Sequence, residues 1–339
     1  MRWHAYAHNR RQTIAMGEAM KKNDSAPLKV GWIGTGRMGA AMAERLAKAG
    51  VDLAVWNRTI AKAAPLKEYG AQVSESIVGL RDRDVVFTMV ATSDDLERVL
   101  LGEGGLIAAD EPRPAIVVDC STISTDASET LRRECAGYGV AFLAAPVSGN
   151  GKVVRAGALS IVASGPAETY ATVAPLLGHI SPSVTYVGEG DTARLVKIAH
   201  NLLLGIVTQS LAEITVLAEK GGVSRSAFLT FLNNSVMGSV FTRYKAPSFI
   251  NLDYTPTFTP ILLRKDFDLG LAAARRLGVP MPVTAITAQL VQASVGSGRV
   301  DEDFAILLDL QAAASGVTLK PENVFVDDGL GAADEGSRP

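Results

Sequence analysis

Lys197 and Asn201 stand four positions apart in a run, 191–220, that is otherwise rich in Ala, Leu, Ile and Val. On a helix, residues i and i+4 project from one face, one turn apart. Polar groups inside an apolar helix are costly unless they meet partners or face a polar cleft. A lysine held there loses hydration, its pKa falls from about 10.4, and it becomes able to exchange a proton near neutral pH. Taken alone, the pair suits a structural hydrogen-bond site as well as an acid/base site, so the surrounding motifs decide.

The clearest of these is Gly34-Thr35-Gly36-Arg37-Met38-Gly39, which follows the apolar run LKVGWI and opens AAMAERLAKAG. Between a strand and a helix, glycines at this spacing supply a tight turn, room for a pyrophosphate against the backbone, and close helix–strand packing. Free amides at the helix start favour the phosphates. About 20 residues on, where an acid would hold the ribose hydroxyls of NAD, the sequence has Asn57-Arg58-Thr59. A guanidinium and neutral donors suit a 2′-phosphate, so NADP(H) is expected in preference to NAD(H).

Composition narrows the chemistry further. The 33 Lys+Arg against 35 Asp+Glu give a net charge of −2, which supplies no broad field for nucleic acid or anionic membrane. Cys120 and Cys135 are the two cysteines and there are four histidines, too few for a disulfide framework or a Cys/His zinc site; no metal is expected. His4 and His8 lie in a polar N-terminal stretch, and His179 beside Gly178 reads as a loop. That leaves His200 as the one well-placed histidine.

These residues need elements to position them. A length of 339 residues suggests two domains. Over 28–190, short β-branched runs (LKVGWI, VDLAVW, DVVFTMV, AIVVDC, VAFLAAP, ALSIVAS, SVTYVG) alternate with segments of helical period, predicting an α/β, Rossmann-type doubly wound and largely parallel sheet. Over 191–318 strands give way to Ala/Leu-rich helices punctuated by Gly and Pro, predicting an all-helical domain for substrate and oligomerisation. The stretch 195–218 is mostly apolar, but Lys197, His200, Asn201, Gln209 and Glu213 would be buried in lipid; it is expected to be a packed helix joining the domains, with no membrane partner. Residues 1–27 read as a flexible extension and 319–339 as a tail, Gly- and acid-rich from about Asp327. With no apolar h-region in 1–27, a cytoplasmic location is expected, an organellar matrix being the alternative.

In order over 28–315, GTGRMG, WNRT, DCSTIS, APVSGN, VKIAHN and RKD resemble the β-hydroxyacid dehydrogenase family, which includes 3-hydroxyisobutyrate dehydrogenase and glyoxylate/succinic semialdehyde reductase. The resemblance implies an NAD(P)-dependent oxidoreductase that interconverts a short hydroxyacid and its semialdehyde or keto acid, with a small carboxylate substrate and a homodimeric or homotetrameric assembly. It makes Lys197 the acid in reduction and the base in oxidation, and Asn201 its substrate-holding partner. Ser148 and Gly149 match the loop that binds the substrate carboxylate. Thr122, with Ser121 beside it, matches a position at nicotinamide and substrate. Lys265 and Asp266 match a pair approaching cofactor and active site, Phe258 an apolar wall, and Val90-Ala91-Thr92 the tip of the fourth strand beneath the adenosine-side ribose.

Departures are equally specific. Asn150 replaces the second Gly of the family's APVSGG, MVATSDD replaces a more usual strand end, and Cys120 stands where Ser or Met is common and reads as core. VKIAHN also resembles the K-x-x-H-N segment of 6-phosphogluconate dehydrogenase, but Leu203 and Leu204 occupy its acidic IEY run. Non-catalytic assembly proteins and imine reductases of this architecture lack the lysine, so Lys197 argues against both.

Overall fold

The computed structural model describes residues 27–108 and 112–330. Nearly all of the N-terminal extension and the last part of the expected tail lie outside the described residues.

Six strands, β1 (Val30–Ile33), β2 (Leu53–Trp56), β3 (Gln72–Val73), β4 (Val85–Thr88), β5 (Ile116–Asp119) and β6 (Ala141–Ala144), form one all-parallel sheet in the order β3-β2-β1-β4-β5-β6. Strands β1, β4 and β5 are buried along their whole length, which is why VGWI, VVFT and IVVD read as continuous runs instead of alternating. Flanking them are α1 (Arg37–Lys48), α2 (Ser93–Leu101), α3 (Thr125–Gly137), α4 (Gly151–Arg155) and α5 (Ala167–Ile180). The strand order reverses between β1 and β4, and at such a switch point a crevice opens outside the carboxyl ends of the strands. The loop GTGRMG leaves β1 at that place.

One largely parallel sheet over 28–190 was expected, and there are two. The strands β7 (Val147–Ser148), β8 (Ser160–Ala163) and β9 (Ser183–Tyr186) form a separate three-stranded sheet in which β7 runs antiparallel to β8. Pro146, which has no N–H for a ladder, stands between β6 and β7; its carbonyl accepts from Val162 N–H at 3.1 Å and Ala144 pairs antiparallel with Ser164, so the chain runs on from the first sheet into the second. His179 is also not in a loop: it occupies the last turn of α5, and its carbonyl accepts from Arg45 Nε at 3.0 Å.

The remainder is helical: α6 (Thr192–Lys220), α7 (Arg225–Asn234), α8 (Val240–Ile250), α9 (Pro260–Leu277), α10 (Pro282–Gly296) and α11 (Leu307–Ala314). Pro260 and Pro282 open α9 and α10, where a missing N–H costs no intrahelical bond. The 29 residues of α6 span about 43 Å and pack on α7, α9, α10 and α11, and on α3 and β8 of the sheet region. Although long and apolar enough by composition to cross a membrane, α6 buries half of its most apolar window within the protein. Its approach to α9 is close at two reciprocal notches: a Cβ on Gly205 would lie 2.4 Å from Phe267, and one on Gly270 would lie 2.5 Å from Leu202.

The expected boundary at 318 falls too early. Leu319 and Val326 pack on the cluster containing Leu211, Phe249 and Leu308. The carboxylate of Glu322 accepts from the backbone N–H groups of Arg225 and Ser226 at the start of α7, satisfying donors that a helix leaves open.

Candidate active site

The phosphate loop divides its glycines between packing and room. Gly34 has φ +96°, and a Cβ there would lie 2.2 Å from the Met89 carbonyl; one on Gly39 would lie 1.9 Å from the Gly34 carbonyl. At Gly36 a Cβ would meet nothing within 4 Å, so this position is open towards the crevice. Helix α1 starts behind Gly36 without a side-chain cap, and Thr35 Oγ1 is buried with no hydrogen-bond partner among the described residues. Open amides and an unpaired hydroxyl beside a glycine-lined space fit a pyrophosphate.

Asn57 links the phosphate loop to the strand end beside it. Its Oδ1 accepts from Thr35 N–H at 2.9 Å and its Nδ2 donates to the Thr59 carbonyl at 2.9 Å, so it clamps the phosphate loop to the end of β2. Arg58 beside it reaches outwards, its side chain 84% exposed and its Nη1 4.0 Å from Asp95 Oδ1. Val90, Ala91 and Thr92 follow β4 as a loop instead of forming its tip, and Thr92 caps α2 by accepting from Asp95 N–H. Met38 packs on the sheet core, while Arg37 Nη1 donates to the Pro256 carbonyl at 2.7 Å, tying the loop to the helical region.

Lys197 lies buried on α6 at the mouth of this crevice. Its Nζ donates to Asn201 Oδ1 at 2.7 Å, and Asn201 Nδ2 donates to Asp266 Oδ2 on α9 at 2.5 Å. A lysine only donates and a carboxylate only accepts, so the amide of Asn201 is held one way round. Burial pulls the Lys197 pKa down to about 8; the Asp266 carboxylate opposes this and the Lys265 ammonium adds to it. Burial likewise raises the pKa of Asp266, against the pull of Lys265, Asn201 and Lys197. Asp266 Oδ1 is buried without a hydrogen-bond partner among the described residues, with Lys265 Nζ 3.7 Å away. Lys265 bridges back to the sheet, donating to the carbonyls of Thr122 at 2.9 Å and Ala91 at 3.4 Å. The lysine, the amide, the RKD pair and the loops after β4 and β5 therefore meet at one edge of the sheet.

The loop after β6 closes the other side. Ser148 Oγ lies 3.0 Å from His200 Nε2, and His200 Nδ1 lies 3.1 Å from Asn201 Oδ1. Gly149 has φ +140°, and a Cβ there would press on Val153 at 2.8 Å. Asn150 is the N-cap of α4, its Oδ1 accepting from Val153 N–H at 3.0 Å. This accounts for the departure from APVSGG, since Asn is among the best capping residues. Phe258 packs edge-on against Phe304 in the helical core, on the loop that receives Arg37. Cys120 is fully buried after β5.

Sequence reading missed the group beneath the site. Arg194 and Asp119, both fully buried, pair at 2.6 Å. Arg194 also donates to the Ser121 carbonyl at 2.6 Å and to Ser128 Oγ at 3.1 Å. Asp119 Oδ1 accepts from Thr88 Oγ1 at 2.6 Å and Ser121 Oγ at 2.7 Å, and Ser121 Oγ accepts from Val90 N–H at 2.9 Å. The signal was present in AIVVDC: a buried strand that ends in an acid needs a partner, and Arg194 is one turn before Lys197 on the same helix. Among the described residues, no group of three or more His, Cys, Asp or Glu could hold a metal ion.

Residues 29–188 match the NAD-binding domain of 6-phosphogluconate dehydrogenase, and 188–311 match the NAD-binding region of NADP-dependent 3-hydroxyisobutyrate dehydrogenase. The chain is 30% identical over 294 residues to 2-(hydroxymethyl)glutarate dehydrogenase of Eubacterium barkeri, an alignment that takes in 86% of this chain and 97% of that one. It is 29% identical to the chloroplastic glyoxylate/succinic semialdehyde reductase 2 of Arabidopsis thaliana, over 86% of this chain and 82% of that one. The solved structure of Psf3 in complex with NADP+ and 2-OPP superposes with a TM-score of 0.75 at 27% identity, over 83% of this chain and 99% of that one. With a switch-point dinucleotide cradle and a helical region completing it, the chain belongs to the β-hydroxyacid dehydrogenase family and is a hydroxyacid dehydrogenase with an NAD(P) site.

Proposed function

We propose that the protein is an NADP-preferring enzyme that interconverts a short aldehyde acid and its hydroxyacid, with Lys197 exchanging the proton. The observation that carries this reading is the buried Lys197–Asn201–Asp266 chain at the carboxyl edge of the nucleotide sheet. When bound, the nicotinamide supplies or accepts the hydride. This chain supplies the rest. In reduction the Lys197 ammonium gives a proton to the carbonyl oxygen as hydride reaches the carbonyl carbon, leaving an alcohol and a neutral amine; oxidation reverses both transfers. Asn201 orients the ammonium and Asp266 orients Asn201. Ser148 and the backbone at Gly149 take the substrate carboxylate, Thr122 and Lys265 border the nicotinamide side, and Arg58 takes the 2′-phosphate. The names of the two relatives, both acting on short acids, and the NADP+ in the superposed structure support the same assignment.

The test is a panel of succinic semialdehyde, glyoxylate, methylmalonate semialdehyde and tartronate semialdehyde with NADPH and NADH, read as loss of reduced-cofactor absorbance. Turnover of at least one with NADPH ahead of NADH is expected. A wide advantage for NADH would overturn the assignment of Arg58.

A homo-oligomer is part of the proposal. Leu217 and Phe231 are each 74% exposed and Met237 70%, all on or beside α6 to α8, large apolar side chains of the kind that a second copy covers in an oligomer. Size exclusion with light scattering is expected to give a multiple of the chain mass.

A further inference from the structure

We infer that His200 is a positioning residue that couples carboxylate binding at Ser148 to uptake of a proton. The inference rests on the assignment of the Ser148 loop to the substrate carboxylate given above. Donors and acceptors dictate it. Asn201 Oδ1 faces Lys197 and so is an acceptor. His200 Nδ1, 3.1 Å from that oxygen, must therefore carry a hydrogen and donate. In a neutral imidazole the other nitrogen is then an acceptor, so at 3.0 Å the Ser148 hydroxyl donates its hydrogen to His200 Nε2. Its lone pairs are left facing the crevice, the wrong polarity for an anion.

Protonation reverses that arrangement. With a hydrogen on both nitrogens, His200 Nε2 donates to Ser148 Oγ, and the serine hydrogen is released to point at a carboxylate. The anion gains a donor and a nearby positive charge, and Nδ1 keeps its bond to Asn201 throughout. His200 keeps part of its surface open, yet surrounding protein and, secondarily, the Lys197 ammonium hold its pKa below the usual imidazole value, while the Asn201 contact opposes them. The free site is thus neutral at His200 near pH 7, and a carboxylate draws the proton in. The other charged groups at this place are Lys197 on α6 and, across Asn201, Asp266 with Lys265 on α9; β7 itself has none.

Lys197 also takes part in anion binding, but with a pKa of about 8 it is already protonated between pH 6 and 7, which separates the two groups. The experiment is calorimetric titration of the full-length protein, saturated with NADP+, with isobutyrate, an unreactive carboxylate that stays ionised across that range. Buffers of different ionisation enthalpy report protons taken up. Net uptake is expected for the wild type, with affinity weakening by up to about tenfold per pH unit as pH rises above the His200 pKa. His200→Gln places a non-titrating N–H donor towards Ser148, and should bind isobutyrate with no uptake and a flat pH dependence from 6 to 7. Ser148→Ala should lose both affinity and uptake. Wild-type binding without uptake, or uptake that survives His200→Gln, overturns the coupling and leaves the carboxylate assignment standing. No binding of isobutyrate by the wild type overturns the carboxylate assignment and the coupling with it.

Discussion

Arg194 on the long helix and Asp119 at the end of a central strand, 75 positions apart, form a buried ion pair at 2.6 Å directly beneath the lysine. Their other hydrogen bonds go to Ser121, Ser128 and Thr88, so the pair fastens α6 to the sheet at the level of the crevice. Removing one member leaves the other charged and uncompensated in the interior, at a cost of about 3–5 kcal/mol. Arg194→Met should accordingly lower the melting temperature by about 10 °C, and Asp119→Asn in the same chain should recover part of the loss. A single variant that melts within about 2 °C of the wild type would show that the pair is not a clamp.

The proton-exchange role proposed for Lys197 has a pH signature. Reduction needs the ammonium and oxidation needs the free amine. With a pKa near 8, kcat/KM for aldehyde reduction should fall as pH rises through about 8, and that for alcohol oxidation should rise over the same interval. Lys197→Ala should lower kcat by about 10²–10⁴ with NADPH affinity unchanged. Fluorescence titration of NADPH beside steady-state kinetics tests both halves.

Two glycines in the phosphate loop should respond to alanine in opposite ways. Gly36 has an extended backbone, φ −68°, and open space at its Cβ position, so Gly36→Ala should fold as stably as the wild type while weakening NADP(H) binding tenfold or more by intruding where the phosphates lie. Gly34 has a left-handed φ and a Cβ position 2.2 Å from the Met89 carbonyl, so Gly34→Ala should lose stability before any ligand is added. Thermal melts with and without NADP+ separate the cases.

Cofactor choice should be movable at Arg58 alone. Its side chain is 84% exposed, so Arg58→Ala should leave the melting temperature unchanged. Loss of charge-assisted hydrogen bonds to a phosphate should raise the NADPH Kd about 10- to 100-fold, and NADH should be unaffected. An equal loss for both cofactors would place Arg58 away from the 2′-phosphate.

Local chemistry was legible in the linear chain because it depends on neighbours a few residues apart. The spacing of Gly34, Gly36 and Gly39 dictates a turn, a gap and a close packing contact, and an i, i+4 pair on an apolar helix places Lys197 and Asn201 on one face. Asp119 at the end of AIVVDC and Arg194 were visible as residues, but their partnership was not, since nothing local specifies contact across 75 positions. The same holds for Ser148 and His200, 52 apart, and for Asn57, whose side chain turned out to bind Thr35 in the loop beside it. The packing of 319–326 against the helices depends on the open amides of α7 and on apolar surface that exists once the bundle has formed. The sequence by itself determined the nucleotide cradle, the two kinds of architecture and the shared helix face of Lys197 and Asn201. Tertiary structure decided which polar groups meet around that lysine, because hydrogen-bond direction and desolvation are properties of groups brought together in space.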